Sequence, residues 1–150
     1  MSLVVALVGA IALGACGGAD VREERNTYVR QLNAAQQEFA ANATVVARHT
    51  SPATIGEYRR TLQRFESTIA NFTTTLRNIK VPEPVGDEHA QLIDALTNFA
   101  VDFKRAAGTL NNPNARAVDE AKRAIAAATQ RANVRIDAAA AAIDSKLQDT

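Results

Sequence analysis

Between residues 55 and 79 the apolar side chains fall at Ile55, Tyr58, Leu62, Phe65, Ile69, Phe72, Leu76 and Ile79, in alternating steps of three and four without a polar break. That spacing lines one stripe of an α-helix and is useless to a strand, whose side chains change face at every residue. A helix with a single apolar stripe must bury it against other elements, so this run requires partners.

The sequence supplies three. Upstream, Val21, Tyr28, Leu32, Ala35, Phe39 and Val46 repeat at similar intervals, with Arg25 and Asn42 interrupting. Downstream, Val85, His89, Leu92, Leu96, Phe99, Phe103, Ala106 and Leu110 form a third stripe. Val118, Ile125, Ala132, Ile136, Ala139, Ile143 and Leu147 suggest a fourth, with a four-residue step after Ala132 that shifts the heptad. The boundaries carry helix punctuation. Asp20 with Glu23 reads as a variant capping box, Ser51-Pro52 as an N-cap followed by proline at the first helical position, and Asn112-Pro113 likewise. Val81-Pro82-Glu83-Pro84 cannot continue a helix. Asp87 and Glu88 near the start of the third helix, and Lys104 and Arg105 near its end, suit its dipole. The spans expected are 20–49, 52–80, 85–110 and 113–148.

At 1.5 Å rise per residue these are rods about 40–50 Å long, and short loops place consecutive rods antiparallel. The fold expected is all-α, an up-down-up-down four-helix bundle preceded by a signal-peptide helix. A long helical hairpin pairing with a second chain and an extended coiled coil are the alternatives. Aromatics are only 5% of the residues, and alanine supplies much of the 47% that is hydrophobic. The core must therefore rest on a few Leu, Ile and Phe side chains, with alanine letting helices approach closely.

Composition and motifs exclude several functions. Net charge is +1, with 17 basic and 16 acidic residues interspersed, which lacks the concentrated basic field of a nucleic-acid binder. Two histidines, His49 and His89, fall at opposite ends of the expected bundle and cannot share a metal. Neither follows a Glu by three positions, as di-iron bundles require. The sole methionine, Met1, would leave with the signal, so a Met/His haem site has no ligand pair. Phosphate loops, nucleophile elbows and zinc-protease motifs are missing from the sequence. The expectation is therefore no catalytic, metal or cofactor residues. His89, on an apolar stripe, reads as a partly buried histidine with its hydrogen bonds satisfied, and His49 as a cation near a helix C-terminus. Arg59, Arg60 and Arg64 lie off the second stripe and read as a solvated face, with an anionic wall polymer as the other reading.

One residue remains. The single cysteine, Cys16, follows LVVALVGAIALGA at Leu3–Ala15, an uncharged run too short to span a bilayer and of signal-peptide length. Leu13, Gly14 and Ala15 before Cys16 resemble the lipobox of bacterial lipoproteins, with Gly14 where Ala or Ser is commoner. The resemblance implies that the thiol of Cys16 receives diacylglycerol and that the chain is cut before it. Residues 1–15 would then be signal peptide, 16–19 the lipidated cysteine and a short tether, and 20–150 the helical domain. Met1-Ser2 supplies no basic residue, which fits either a start upstream of Met1 or a weak signal. Residues 79–96 are also similar to the Pro-loop-His-helix connector of helical envelope proteins of high-GC bacteria, which implies the same address and no activity. The partners expected are the membrane, through acyl chains on Cys16, and an envelope protein. The function expected is a non-enzymatic interaction or structural module. The alternative is a carrier or sensor for an apolar or amphipathic ligand, using the small side chains of the fourth helix.

Overall fold

The computed structural model describes residues 18–48, 54–112 and 114–149. Four helices account for nearly all of them: α1 (Ala19–Arg48), α2 (Ile55–Arg77), α3 (Gly86–Thr109) and α4 (Ala115–Gln148). A single 3-10 turn, Glu83–Val85, leads into α3. Cross-links between helix ends fix the direction of each. Lys80, beyond α2, pairs with Glu24 in α1, and His89 in α3 reaches both Tyr28 in α1 and Leu76 in α2. Lys146 near the end of α4 pairs with Glu88 near the start of α3. At the opposite end Arg59 in α2 donates to Asn111 just after α3. The starts of α1 and α3 therefore lie beside the ends of α2 and α4, and the chain is an up-down-up-down bundle.

Three starts differ from the sequence expectation. The expected Ser51-Pro52 start lies outside the described residues; Thr54 is extended and caps α2, which runs from Ile55. The Thr54 hydroxyl accepts from the Glu57 amide at 3.2 Å and the Glu57 carboxylate accepts from the Thr54 amide at 3.0 Å. This reciprocal pair satisfies two donors that a helix start leaves open. Asn114, not Asn112, caps α4 by accepting from the Ala117 amide at 2.8 Å. In α1 the Gly18 carbonyl already accepts from the Arg22 amide, so Asp20 sits inside the first turn instead of at a cap. Its charge there still suits the helix dipole.

Every member of the α3 stripe is buried, as are Leu62, Phe65, Ile69, Phe72, Leu76 and Ile79 of the α2 stripe. Ile55 and Tyr58 are half-buried. In α1 burial is concentrated at Arg25, Tyr28, Val29, Leu32 and Ala35, whereas Val21 is 44% exposed. Further along, Phe39, Ala43 and Val46 are only partly covered, with Phe39 stacked on Phe72. In α4 the buried face is Ala117, Ala121, Ile125, Ala128, Ala132, Ile136, Ala139, Ile143 and Leu147. Its steps run four, four, three and then repeat, an eleven-residue period and not a broken heptad. Val118 falls beside this face, half-buried. Small side chains on α4 allow close approach, and α3 packs most extensively against α4 and α2. By contrast α1 packs chiefly against α2 and is the least embedded of the four.

Candidate functional site: the polar cluster at one end of the bundle

Where α1 and α3 start and α2 and α4 finish, polar side chains enter the core. α2 ends at Arg77, three residues before the expected end at 80, and its last carbonyls lack i+4 donors; that of Leu76 takes the Ile79 amide at 3.1 Å instead. His89, one turn into α3 and 3% exposed, meets one of them: Nε2 lies 3.0 Å from the Leu76 carbonyl oxygen. Its Nδ1 lies 3.0 Å from the hydroxyl of Tyr28, itself fully buried. A carbonyl oxygen only accepts, so Nε2 carries the ring proton and Nδ1 is bare. The Tyr28 hydroxyl consequently donates to Nδ1. The rings meet edge to face, with centroids 5.7 Å apart. One neutral imidazole thus joins three helices.

Burial governs the proton affinities. Desolvation holds His89 below the ordinary histidine value, partly offset by its bond to the Leu76 carbonyl. Desolvation also pushes the Tyr28 phenol well above its ordinary value. Neighbouring Glu88 is held below the usual carboxylate range, first by its hydrogen bond from Lys146, whose Nζ lies 2.8 Å from Oε1.

Arg25, expected only to interrupt a stripe, lies on the core face of α1 at 5% exposure. Its Nη1 points at the Leu147 carbonyl at 3.4 Å, placing a cation against the negative end of α4. Its Nε and Glu88 Oε2 are buried without a hydrogen-bond partner. The ends of α1 and α2 are further tied by Lys80 and Glu24 at 2.9 Å, an exposed pair of small energetic weight.

The structure thus engages both nitrogens of His89, as the sequence implied, and buries the ring more deeply than the partial burial expected. Tyr28 as its partner and the burial of Arg25 at the same end were missed, although both residues lie on the core face of α1 at the end that an antiparallel bundle sets beside the start of α3. Arg59 is not a free cation: it bridges to Asn111 at 3.2 Å, leaving Arg60 and Arg64 as the exposed members of that trio. Leu13, Gly14, Ala15, Cys16 and His49 lie outside the described residues. Among the described residues no group of three or more His, Cys, Asp or Glu is placed to hold a metal ion. Chemically, the arrangement can hold or take up one proton at Nδ1 of His89, at a junction of three helices.

No protein-family model, curated protein or solved structure matches this chain.

Proposed function

We propose that this chain is a bacterial envelope lipoprotein, held on the extracytoplasmic side of a membrane by acyl chains on Cys16. Its helical bundle serves as a non-enzymatic interaction or structural module. The observation that carries the reading is Cys16 itself, the only cysteine in the chain, directly after an uncharged apolar run that ends Leu13-Gly14-Ala15. Among the described residues no helix is long and apolar enough to cross a membrane; in this reading the anchor is lipid. Each buried methylene contributes about 0.8 kcal/mol, so one chain binds reversibly whereas two or three hold firmly.

The start of α1 at Ala19 supports a close attachment, since only two residues separate Cys16 from it. The end carrying Tyr28 and His89 would then lie next to the lipid. The starts of α2 and α4, with exposed Arg60 and Arg64 toward that side, would stand away from it. At 1.5 Å per residue the 34-residue α4 puts about 50 Å between those two ends. A carrier that opens around an apolar ligand would need a slot beside the alanines of α4. Those alanines are buried in the face that α4 turns to the bundle, the arrangement of close helix approach. Fractionation tests the anchor. Wild type should sediment with membranes and dissolve in detergent, and Cys16→Ala should appear in the soluble fraction or be retained uncleaved. Equal solubility of the two proteins would contradict the proposal.

A further inference from the structure

We propose that His89 is an acid-sensitive clasp: it holds the start of α1 on the bundle while neutral, and uptake of a proton at Nδ1 releases that segment while α2, α3 and α4 stay packed. The inference is independent of the lipid anchor.

The tautomer fixes what protonation does. With Nε2–H committed to the Leu76 carbonyl, the arriving proton must go to Nδ1, which already accepts from Tyr28. Two donors then face each other. For the Tyr28 oxygen to accept instead, the hydroxyl must turn its own proton into surroundings where it is fully buried. A buried donor without an acceptor is costly, and so is an imidazolium without a counter-ion.

The charged groups at this end of the bundle do not bond to the ring. From α1 comes Arg25, a buried cation one turn before Tyr28, with Glu24 engaged by Lys80. From the end of α2 come the Leu76 carbonyl, which favours a cation, and Lys80, which does not. On α3 itself Glu88 is adjacent; its Oε1 is engaged by Lys146 of α4 and its Oε2 is buried without a partner, but the ring nitrogens bond to Tyr28 and Leu76 and not to this carboxylate. Glu83 in the preceding turn is exposed. None of these carboxylates hydrogen-bonds His89, so relief must come from water.

Water enters most easily by lifting α1. This helix shares the least interface with the rest, and beyond Ala35 its apolar side chains are only half-covered. The ties that hold its start are the Tyr28–His89 bond, a long Arg25–Leu147 contact of 3.4 Å, and the exposed Lys80–Glu24 pair. Displacing α2 or α4 from α3 would open the two largest interfaces instead.

The test is amide hydrogen exchange of the full chain at about pH 7.5 and about pH 5, corrected for intrinsic rates, with α1 compared against α3 and α4. Exchange protection over residues 22–35 should fall by up to about tenfold per pH unit between the ordinary histidine value and the lower one that His89 has in the bundle. Protection in the middle of α3 and α4 should hold. In His89→Gln, whose amide can donate to Leu76 and accept from Tyr28 but takes up no proton, α1 protection should stay constant over this range. Unchanged wild-type protection of α1, a parallel loss in all four helices, or the same pH response in His89→Gln would each overturn the proposal. The wild-type comparison decides even if the variant fails to fold.

Discussion

At the scale of single residues the Tyr28–His89–Leu76 junction makes stability depend on pH in both directions. His89 has a folded proton affinity below its ordinary value of 6.5, so the unfolded chain binds more protons there. Its contribution is complete above about pH 6.5 and declines as pH falls from there toward the lower value in the fold. Glu88, also held low, adds a second loss at more acid pH, below its ordinary 4.5. Tyr28 behaves oppositely. Its raised value means that stability declines as pH rises beyond the ordinary 10.0, where the unfolded phenol ionises first. Urea midpoints across pH should therefore form a plateau that drops on the acid side from about pH 6.5 and on the alkaline side from about pH 10. Tyr28→Phe keeps the ring but leaves Nδ1 of His89 buried and unpaired, at a cost of about 1–3 kcal/mol in the same assay. It should also make the alkaline decline shallower, leaving the part that comes from Tyr58, whose phenol is likewise pushed up by burial.

At the scale of elements, helix packing and helix propensity make separate predictions. Ala128 on α4 is 1% exposed, and its small side chain sets the approach of that helix. Ala128→Leu should destabilise the bundle by about 1–3 kcal/mol, read as a lowered thermal midpoint. Gly108, in the last turn of α3, has no neighbouring atom within 4 Å of where a Cβ would stand, and no glycine among the described residues has positive φ. Gly108→Ala should therefore raise stability by about 0.5–1 kcal/mol through backbone entropy alone. Helices are legible in this sequence where large side chains mark the period, as from Leu62 to Ile79 and from Val85 to Leu110. They are harder to read where alanine sits on every face, because Ala117, Ala121 and Ala128 look the same as exposed Ala124 and Ala127. The eleven-residue period of α4 was hidden for that reason. Caps were misread where neighbouring residues offered competing signals: Thr54 with Glu57 prevailed over Ser51-Pro52, and Asn114 over Asn112. Such choices depend on which start lets the apolar face meet its partners, and a local motif does not hold that information.

For the whole molecule, the polar cluster joins residues 61 positions apart in Tyr28 and His89, and 122 apart in Arg25 and Leu147. Pairings at that separation exist only once four helices have taken their directions. The stripes foretold the directions, and only packing chose the partners. The proposed lipid site is the reverse case. Its signal is entirely local, four consecutive residues closing a short apolar run, and it owes nothing to the bundle. The two meet in one geometric expectation, that the His89 end of the bundle lies beside the membrane and the Arg60 end projects away from it. The intact mass of the mature protein extracted from its native membrane tests the central claim most directly. The account predicts a polypeptide beginning at Cys16 and heavier than its sequence by two or three fatty acyl chains with their glyceryl group, a form that Cys16→Ala never yields. A membrane-extracted protein that retains residues 1–15 and carries an unmodified thiol would contradict it.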